Sequence, residues 1–190
     1  TLLAQCQAAL DKHNVPLASN QIAYSLLGRQ VDGAQTTVEY CQNNGISVMA
    51  FFPFAMGLLT GKYGSRAKYG DSSLRRSKKT SLERADLLRY TSNMQPLMDV
   101  LEELSVHHSK TVAQVSLNYL LCKNILPIPG ARTVDQLRDN MGAAGWRLAP
   151  HEVERLEMAA DRLGFGFEGA GFKRTSEKFV GYGVERWALD

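Results

Sequence analysis

Cysteine is scarce in this chain: Cys6, Cys41 and Cys122 are the only three among 190 residues. An odd number without short spacings argues against a disulfide framework and against a cysteine zinc site. It points to buried free thiols in a reducing compartment. Long apolar runs are missing too; none approaches the roughly 20 residues a membrane-spanning helix needs. No secretory signal pattern is visible, and because the first residue is Thr1 rather than Met, a longer precursor is expected. A strong charge of one sign is also lacking. The 22 Lys and Arg against 19 Asp and Glu leave a formal +3, too little to imply nucleic acid by itself. The excess is local. Gly64 to Tyr90 holds eight basic residues against three acidic ones, a net +5 that leaves the rest of the chain at −2. What remains is ordinary globular composition, 44% hydrophobic and 22% charged, in a chain long enough for a sizeable core.

The apolar spacing predicts a helix over Leu2 to His13, with Leu3, Cys6, Ala9 and Leu10 on one face. A strand is predicted over Leu17 to Ser25 and a second helix over Asp32 to Asn44, stopped by Gly45. Ile46 to Phe54 (ISVMAFFPF) is a near-continuous apolar run, the pattern of a strand covered on both faces. Met56 to Asn93 begins without a steady period and reads as a long loop. Helical spacing returns over Tyr90 to His108 and over Thr111 to Lys123, where Thr111 and Gln114 have capping-box spacing. A third strand, Ile125 to Ile128, precedes a helix from about Thr133, with Gln136 repeating that spacing. Pro150 to Leu163 is predicted helical, with proline suited to a first turn. The Gly- and Phe-rich tail from Gly164 is expected to be irregular. Alternating helices and apolar strands signal a parallel α/β sheet. Three strand–helix units cannot close a (β/α)8 barrel of roughly 250 residues, so the chain reads as the later part of a larger fold.

The stretch ILPIPGARTVDQLRDN, Ile125 to Asn140, runs from a strand straight into a helix. A parallel strand delivers the next helix N-terminus to its own carboxyl end, where unpaired N–H groups and the positive end of the dipole converge. Gly130 lets backbone approach a phosphate, and Arg132 adds a planar charged fork. Phosphate binding is one reading; an ordinary junction with a solvated arginine is the other. Gln21 is either an amide-binding group or a satisfied buried amide. Phe51, Phe52 and Phe54 either stack on a flat heterocycle or pack the core. Gly57 to Lys62 (GLLTGK) lacks the spacing of a phosphate loop and is followed by Tyr63, which rejects a P-loop NTPase. The basic run Arg75-Arg76-Ser77-Lys78-Lys79 either covers a polyphosphate or is a solvated surface loop. His13, His107, His108 and His151 fall in or beside predicted helices and are read as non-catalytic; His107 and His108, being adjacent, are not expected to share a helix face. No Ser-His-Asp or metal-ligand constellation is visible, so no metal site is expected.

Taken in order, three segments resemble the later half of an aldo-keto reductase, over about residues 1 to 163. They are PLASNQIAYSLL from Pro16, VMAFFPFAMGLLTGKY from Val48, and IPGARTVDQLRDN from Ile128 continued by GAAGWRL from Gly142. The last two look most similar to plastid members from plants and algae. The resemblance implies a partial (β/α)8 barrel, about the last three strands with their helices, over 1–163, and an irregular tail over 164–190. It implies NADPH bound extended, without a Rossmann domain. By that resemblance Gln21 holds the nicotinamide carboxamide, and Phe51 replaces the aromatic that stacks on the nicotinamide. Phe52, Pro53, Phe54, Ala55, Met56, Leu58 and Lys62 run along the pyrophosphate, with Arg75 or Arg76 closing over it. Gly130, Ala131 and Arg132 surround the 2′-phosphate, and Gln136, Asp139 and Asn140 meet the adenine end.

The chain departs from the family pattern in two places. Tyr or Trp followed by Ser is usual where Phe51 and Phe52 stand, so a phosphate-donating hydroxyl is lost. Lys-Ser is common where Gly130-Ala131 stand, although other branches use Gly. The family's catalytic Asp, Tyr, Lys and His come from earlier strands that these 190 residues do not include, so no catalytic residue is assigned. The expectation is the NADPH-binding half of an oxidoreductase moving hydride between NADPH and an aldehyde or ketone. The alternative is a truncated, non-catalytic relative serving as a structural or docking subunit. Expected partners are a small carbonyl substrate in the first case and a protein covering the open half barrel in the second, with no nucleic acid. The expected location is a chloroplast or other plastid, with cytoplasm as the alternative.

Overall fold

A computed structural model describes residues 2–29, 34–62, 94–163, 165–168 and 171–174. The basic run around Arg75 lies outside them. Helix α1 (Leu2–Asp11) leads to strand β1 (Ser19–Ala23), helix α2 (Ala34–Asn43) and strand β2 (Ser47–Phe51). Gly45, at φ +69°, ends the turn after α2 in the left-handed region that glycine tolerates. A 3-10 segment (Ala55–Thr60) follows β2 where a loop was expected. Then come α3 (Gln95–His107), α4 (Val112–Cys122), β3 (Ile125–Pro127), α5 (Val134–Met141) and α6 (Pro150–Asp161). No helix among the described residues is long and apolar enough to cross a membrane.

The three strands form one parallel sheet in the order β1-β2-β3. Ala23 stands opposite Phe51, Met49 lies between Gln21 and Leu126, and Val48 is opposite Ile125. Because side chains alternate along a strand, this register divides the sheet into two faces. Val48, Ala50 and Ile125 lie on the helix side and are buried. Gln21, Met49 and Leu126 lie on the other, where Leu126 is 53% exposed and the following Ile128 40%. The expectation that β2 is covered on both faces therefore fails. Helices cover one side, and no described element covers the other. The strand also ends at Phe51, because Phe52 turns to φ +64° and Pro53 cannot donate to a ladder.

Helix α4 is the centre of the packing. Its residues 113 and 115–120 are all buried, three of them polar or phenolic. Ser116 donates to Leu59 O at 2.9 Å. Asn118 donates to Ala143 O and Trp146 O, both at 2.9 Å, and accepts from Leu148 N at 2.9 Å and Cys122 Sγ at 3.3 Å. Tyr119 donates to Glu157 Oε1 at 2.8 Å on α6. Glu157 also meets Lys123 at 3.2 Å and Arg29 at 3.7 Å, so the cations after β1 and α4 hold the α6 carboxylate. The capping box forms as expected: Thr111 Oγ1 accepts from Gln114 N and Gln114 Oε1 from Thr111 N, each at 3.1 Å. Helix α3 packs on α4 and α6 through Leu97, Met98, Leu101 and Leu104.

Three expectations need correction. Only Cys41 is a buried thiol; Cys122 is half-buried and Cys6 exposed. Cys6 sits on α1, which buries no residue. The tail is not wholly irregular: β4 (Phe165–Glu168) and β5 (Gly171–Arg174) pair antiparallel, Phe167 opposite Phe172. Phe165 and Phe167 repeat at the two-residue period that suits a strand. The His107 and His108 rings do meet edge-on, centroids 4.9 Å apart, although the His108 N–H still donates to Leu104 O at 3.0 Å as in the helix.

Replacing Asn118 with Leu is expected to lower unfolding free energy by at least about 2 kcal/mol, since three buried backbone groups lose their partner at roughly 1–3 kcal/mol each. Ser116→Ala, which strands one carbonyl, is expected to lose about 1 kcal/mol. Urea unfolding of both variants checks this, and equal losses would contradict the central role of Asn118.

Candidate functional site

The carboxyl ends of three adjacent parallel strands meet along one edge of the sheet. In parallel α/β folds ligands bind outside that edge. Gln21 is exposed on the uncovered face of β1, one side-chain repeat before Ala23, the partner of Phe51. Phe51 closes β2 on that same face, half-buried, with its ring edge-on to Phe52 (centroids 6.0 Å, 88°). After it the backbone is strained. Phe52, Ala55 and Met56 have φ of +64°, +48° and +59°, a conformation that costs non-glycine residues on the order of 1–3 kcal/mol each. Buried Pro53, Ala55, Leu58 and Leu59 hold it, with Ala55 N donating to Phe52 O and Gly57 N to Phe54 O, both at 2.9 Å. Strain maintained by a packed surround is characteristic of ligand clamps. Phe54 is half-buried and Lys62 exposed. Nothing in the residue types signalled the positive φ values, since none of the three is glycine.

Beyond β3, the turn into α5 is open. No atom lies within 4 Å of where a Gly130 Cβ would stand. Ala131 and Arg132 are exposed, and the Arg132 guanidinium has no partner among the described residues. Thr133 caps α5 by accepting from Gln136 N at 3.2 Å. Gln136 Oε1 reaches back to Arg132 N at 2.7 Å, so one residue both completes the N-terminal cap and orders the arginine backbone. Asp139 faces away from this turn, its Oδ1 accepting from Thr111 Oγ1 at 2.9 Å and Gln114 Nε2 at 3.0 Å. Asn140 is half-buried on the same helix. Thus Gln21 lies midway along β1, Phe51 ends β2 and Arg132 stands in the turn after β3, whereas Oδ1 of Asp139 is engaged by the start of α4. Arg75 falls outside the described residues.

The arrangement supplies an amide, an aromatic ring and a cation from three strand–loop units, and none of these three groups forms an acid–base pair. Tyr24, just past β1, is 2% exposed. Burial pushes its hydroxyl above the usual phenol range, only partly offset by a hydrogen bond with Tyr119. The family model for aldo/keto reductases matches residues 1–161. The chain belongs to the aldo/keto reductase family. It is 35% identical over 151 residues to the chloroplastic pyridoxal reductase of Arabidopsis thaliana, covering 80% of this chain and 38% of that protein. The aldo-keto reductase yakc of Schizosaccharomyces pombe, whose name carries NADP(+), is 28% identical over 165 residues, covering 84% of this chain and 47% of its own. Among solved structures, the glycerol dehydrogenase of Gluconobacter oxydans has a TM-score of 0.60 at 21% identity, covering 82% of this chain and 46% of that one. That likeness is one of fold. The chain spans about half the length of the relatives it matches, or less, and its three parallel strands belong to a (β/α)8 barrel architecture.

The latch behind the arginine turn is testable. A Cβ on Gly142 would stand 2.2 Å from Gln114 Nε2 and 3.3 Å from Asp139 O. Gly142→Ala must therefore expel the Gln114 amide, which donates to Asp139 O at 2.9 Å. A loss of about 1–3 kcal/mol is expected, while Gly130→Ala, with open space around it, is expected to lose much less. Thermal unfolding of the two variants decides, and a reversed order would refute the latch.

Proposed function

We propose that this chain forms the NADPH-binding side of an aldo-keto reductase that reduces an aldehyde or ketone. What supports the reading is that Gln21 on β1, Phe51 at the end of β2 and Arg132 in the turn after β3 belong to three neighbouring parallel strand–loop units in a chain of this family. The S. pombe relative named for NADP(+) supports the choice of cofactor. NADPH, when bound, supplies hydride to a carbonyl carbon. The chain's own part is positioning. In this reading Gln21 offers an amide to the nicotinamide carboxamide and Phe51 a ring face. The strained backbone from Phe52 to Met56, with Leu58 beneath it and Lys62 beyond, borders the pyrophosphate. Arg132 offers a charged fork to the 2′-phosphate, beside the open turn at Gly130 and Ala131, and Gln136 keeps that turn in place. Asn140 borders the adenine end; Asp139 contributes by fixing α5 to α4. No described residue is assigned as proton donor, because Tyr24 is buried and already bonded to Tyr119.

A non-catalytic docking subunit is the second reading, favoured by the uncovered apolar face that carries Leu126 and Ile128. Intact mass of the native protein separates the two. A mass well above 21.0 kDa, with carbonyl-dependent NADPH oxidation, is expected; a mass near 21.0 kDa without oxidation would establish the docking role. The Arabidopsis relative makes pyridoxal the first aldehyde to try, and its chloroplastic designation supports a plastid location.

For the cofactor site, Arg132→Ala is expected to weaken NADPH binding by roughly 10- to 150-fold, the equivalent of one charge-assisted bond of about 1.5–3 kcal/mol. NADH binding is expected to change little, since it lacks the 2′-phosphate. Fluorescence titration of both nucleotides measures this; unchanged NADPH affinity would remove Arg132 from the site.

A further inference from the structure

Helix α3 finishes on His107 and is capped by His108. Helix α6 begins nearby, with Glu152 in its first turn. Glu152 is 4% exposed. Its Oε2 accepts from Ala149 N at 2.8 Å, and its two oxygens lie 2.9 and 3.0 Å from His108 Nε2. Burial alone would raise this carboxyl, but the Ala149 N–H and the His108 ring outweigh it and hold the group below the usual carboxylate range. The His108 ring rests against Trp146, centroids 4.8 Å apart, with Lys110 Nζ 5.6 Å from the same indole. His107 lies on the exposed side.

We propose that His107, His108 and Glu152 bind a divalent transition-metal ion of the zinc class. One ligand atom from each lies within 4.8 Å of the others. Ligands of one tetrahedral zinc, bound at about 2.0–2.2 Å, stand roughly 3.4 Å apart. The His108 and Glu152 atoms, now 2.9 and 3.0 Å apart in a hydrogen bond, need to part by only a few tenths of an ångström to admit the ion, and a turn of the exposed His107 ring closes the rest. Two imidazoles and one carboxylate select zinc, cobalt, nickel or copper over magnesium or calcium. Three protein ligands leave a fourth position for water. The Ala149 N–H already orients the carboxylate, the kind of outer support a metal ligand has, and the His108 ring is packed against Trp146. The carboxyl end of α3 adds the negative end of its dipole. The bound ion would pin α3 to α6, independently of the proposed nucleotide site.

Cobalt(II) is the probe, because its visible d–d bands report nitrogen and oxygen coordination. The full 190-residue chain is expected to take up one equivalent, displaced by zinc but not by magnesium. His107→Asn is expected to weaken uptake at least about tenfold without changing the far-UV circular dichroism, since His107 is exposed. His13→Asn is expected to change neither. The proposal is overturned by absent d–d bands, by equal uptake in wild type and His107→Asn, or by a near-UV thiolate-to-cobalt band that disappears in Cys6→Ser.

Discussion

Asn118 is the side chain on which the rest of this structure depends. It is fully buried, yet both its N–H bonds and its carbonyl are satisfied, by Ala143 O, Trp146 O, Leu148 N and the Cys122 thiol. A buried amide with all partners in place rigidifies its surroundings; one with partners missing would be costly. Three of these partners, Ala143, Trp146 and Leu148, lie in the link between α5 and α6. That link therefore has one path over α4, and the helices at either end inherit their positions from it. Ser116 and Tyr119, on neighbouring faces of the same helix, fix the 3-10 segment after β2 and the body of α6. One helix thus places both the strained turn beside Phe51 and, through Gln114 and Asp139, the turn that presents Arg132.

The sheet shows the opposite condition. Its helix side is a packed core, while Gln21, Met49, Leu126 and Ile128 line a face that no described element covers. In a closed (β/α)8 barrel that face is filled by side chains from other strands. The same alternation that buries Val48 and Ala50 therefore presents Gln21 and Phe51 to the open side. Uncovered apolar surface and an exposed amide are two results of one register.

Local signals in the sequence carried much of this fold. The spacing of Thr111 and Gln114 announced a capping box, and it forms, because a cap joins residues only three apart. Apolar runs located the three strands, since burial on one side is enough to demand such residues. Motif order showed that Gln21, Phe51 and Arg132 belong to three successive strand–loop units, and parallel topology makes those strands neighbours. Asp139 shows the limit. Its motif suggested a ligand contact, but Thr111, 28 residues earlier, engages its carboxylate. Positive φ at Phe52, Ala55 and Met56 left no mark in sequence, because packing rather than glycine imposes it.

By itself, then, the sequence determined the order of helices and strands, their caps and the family to which they belong. These depend on neighbours along the chain and on period. Only the tertiary structure decided which face of the sheet stays open, which polar groups are paired, and that His108 and Glu152, 44 residues apart, share a hydrogen bond. Such pairings depend on how helices dock, and docking is settled by shape and buried polarity summed over the whole layer, which no local spacing records.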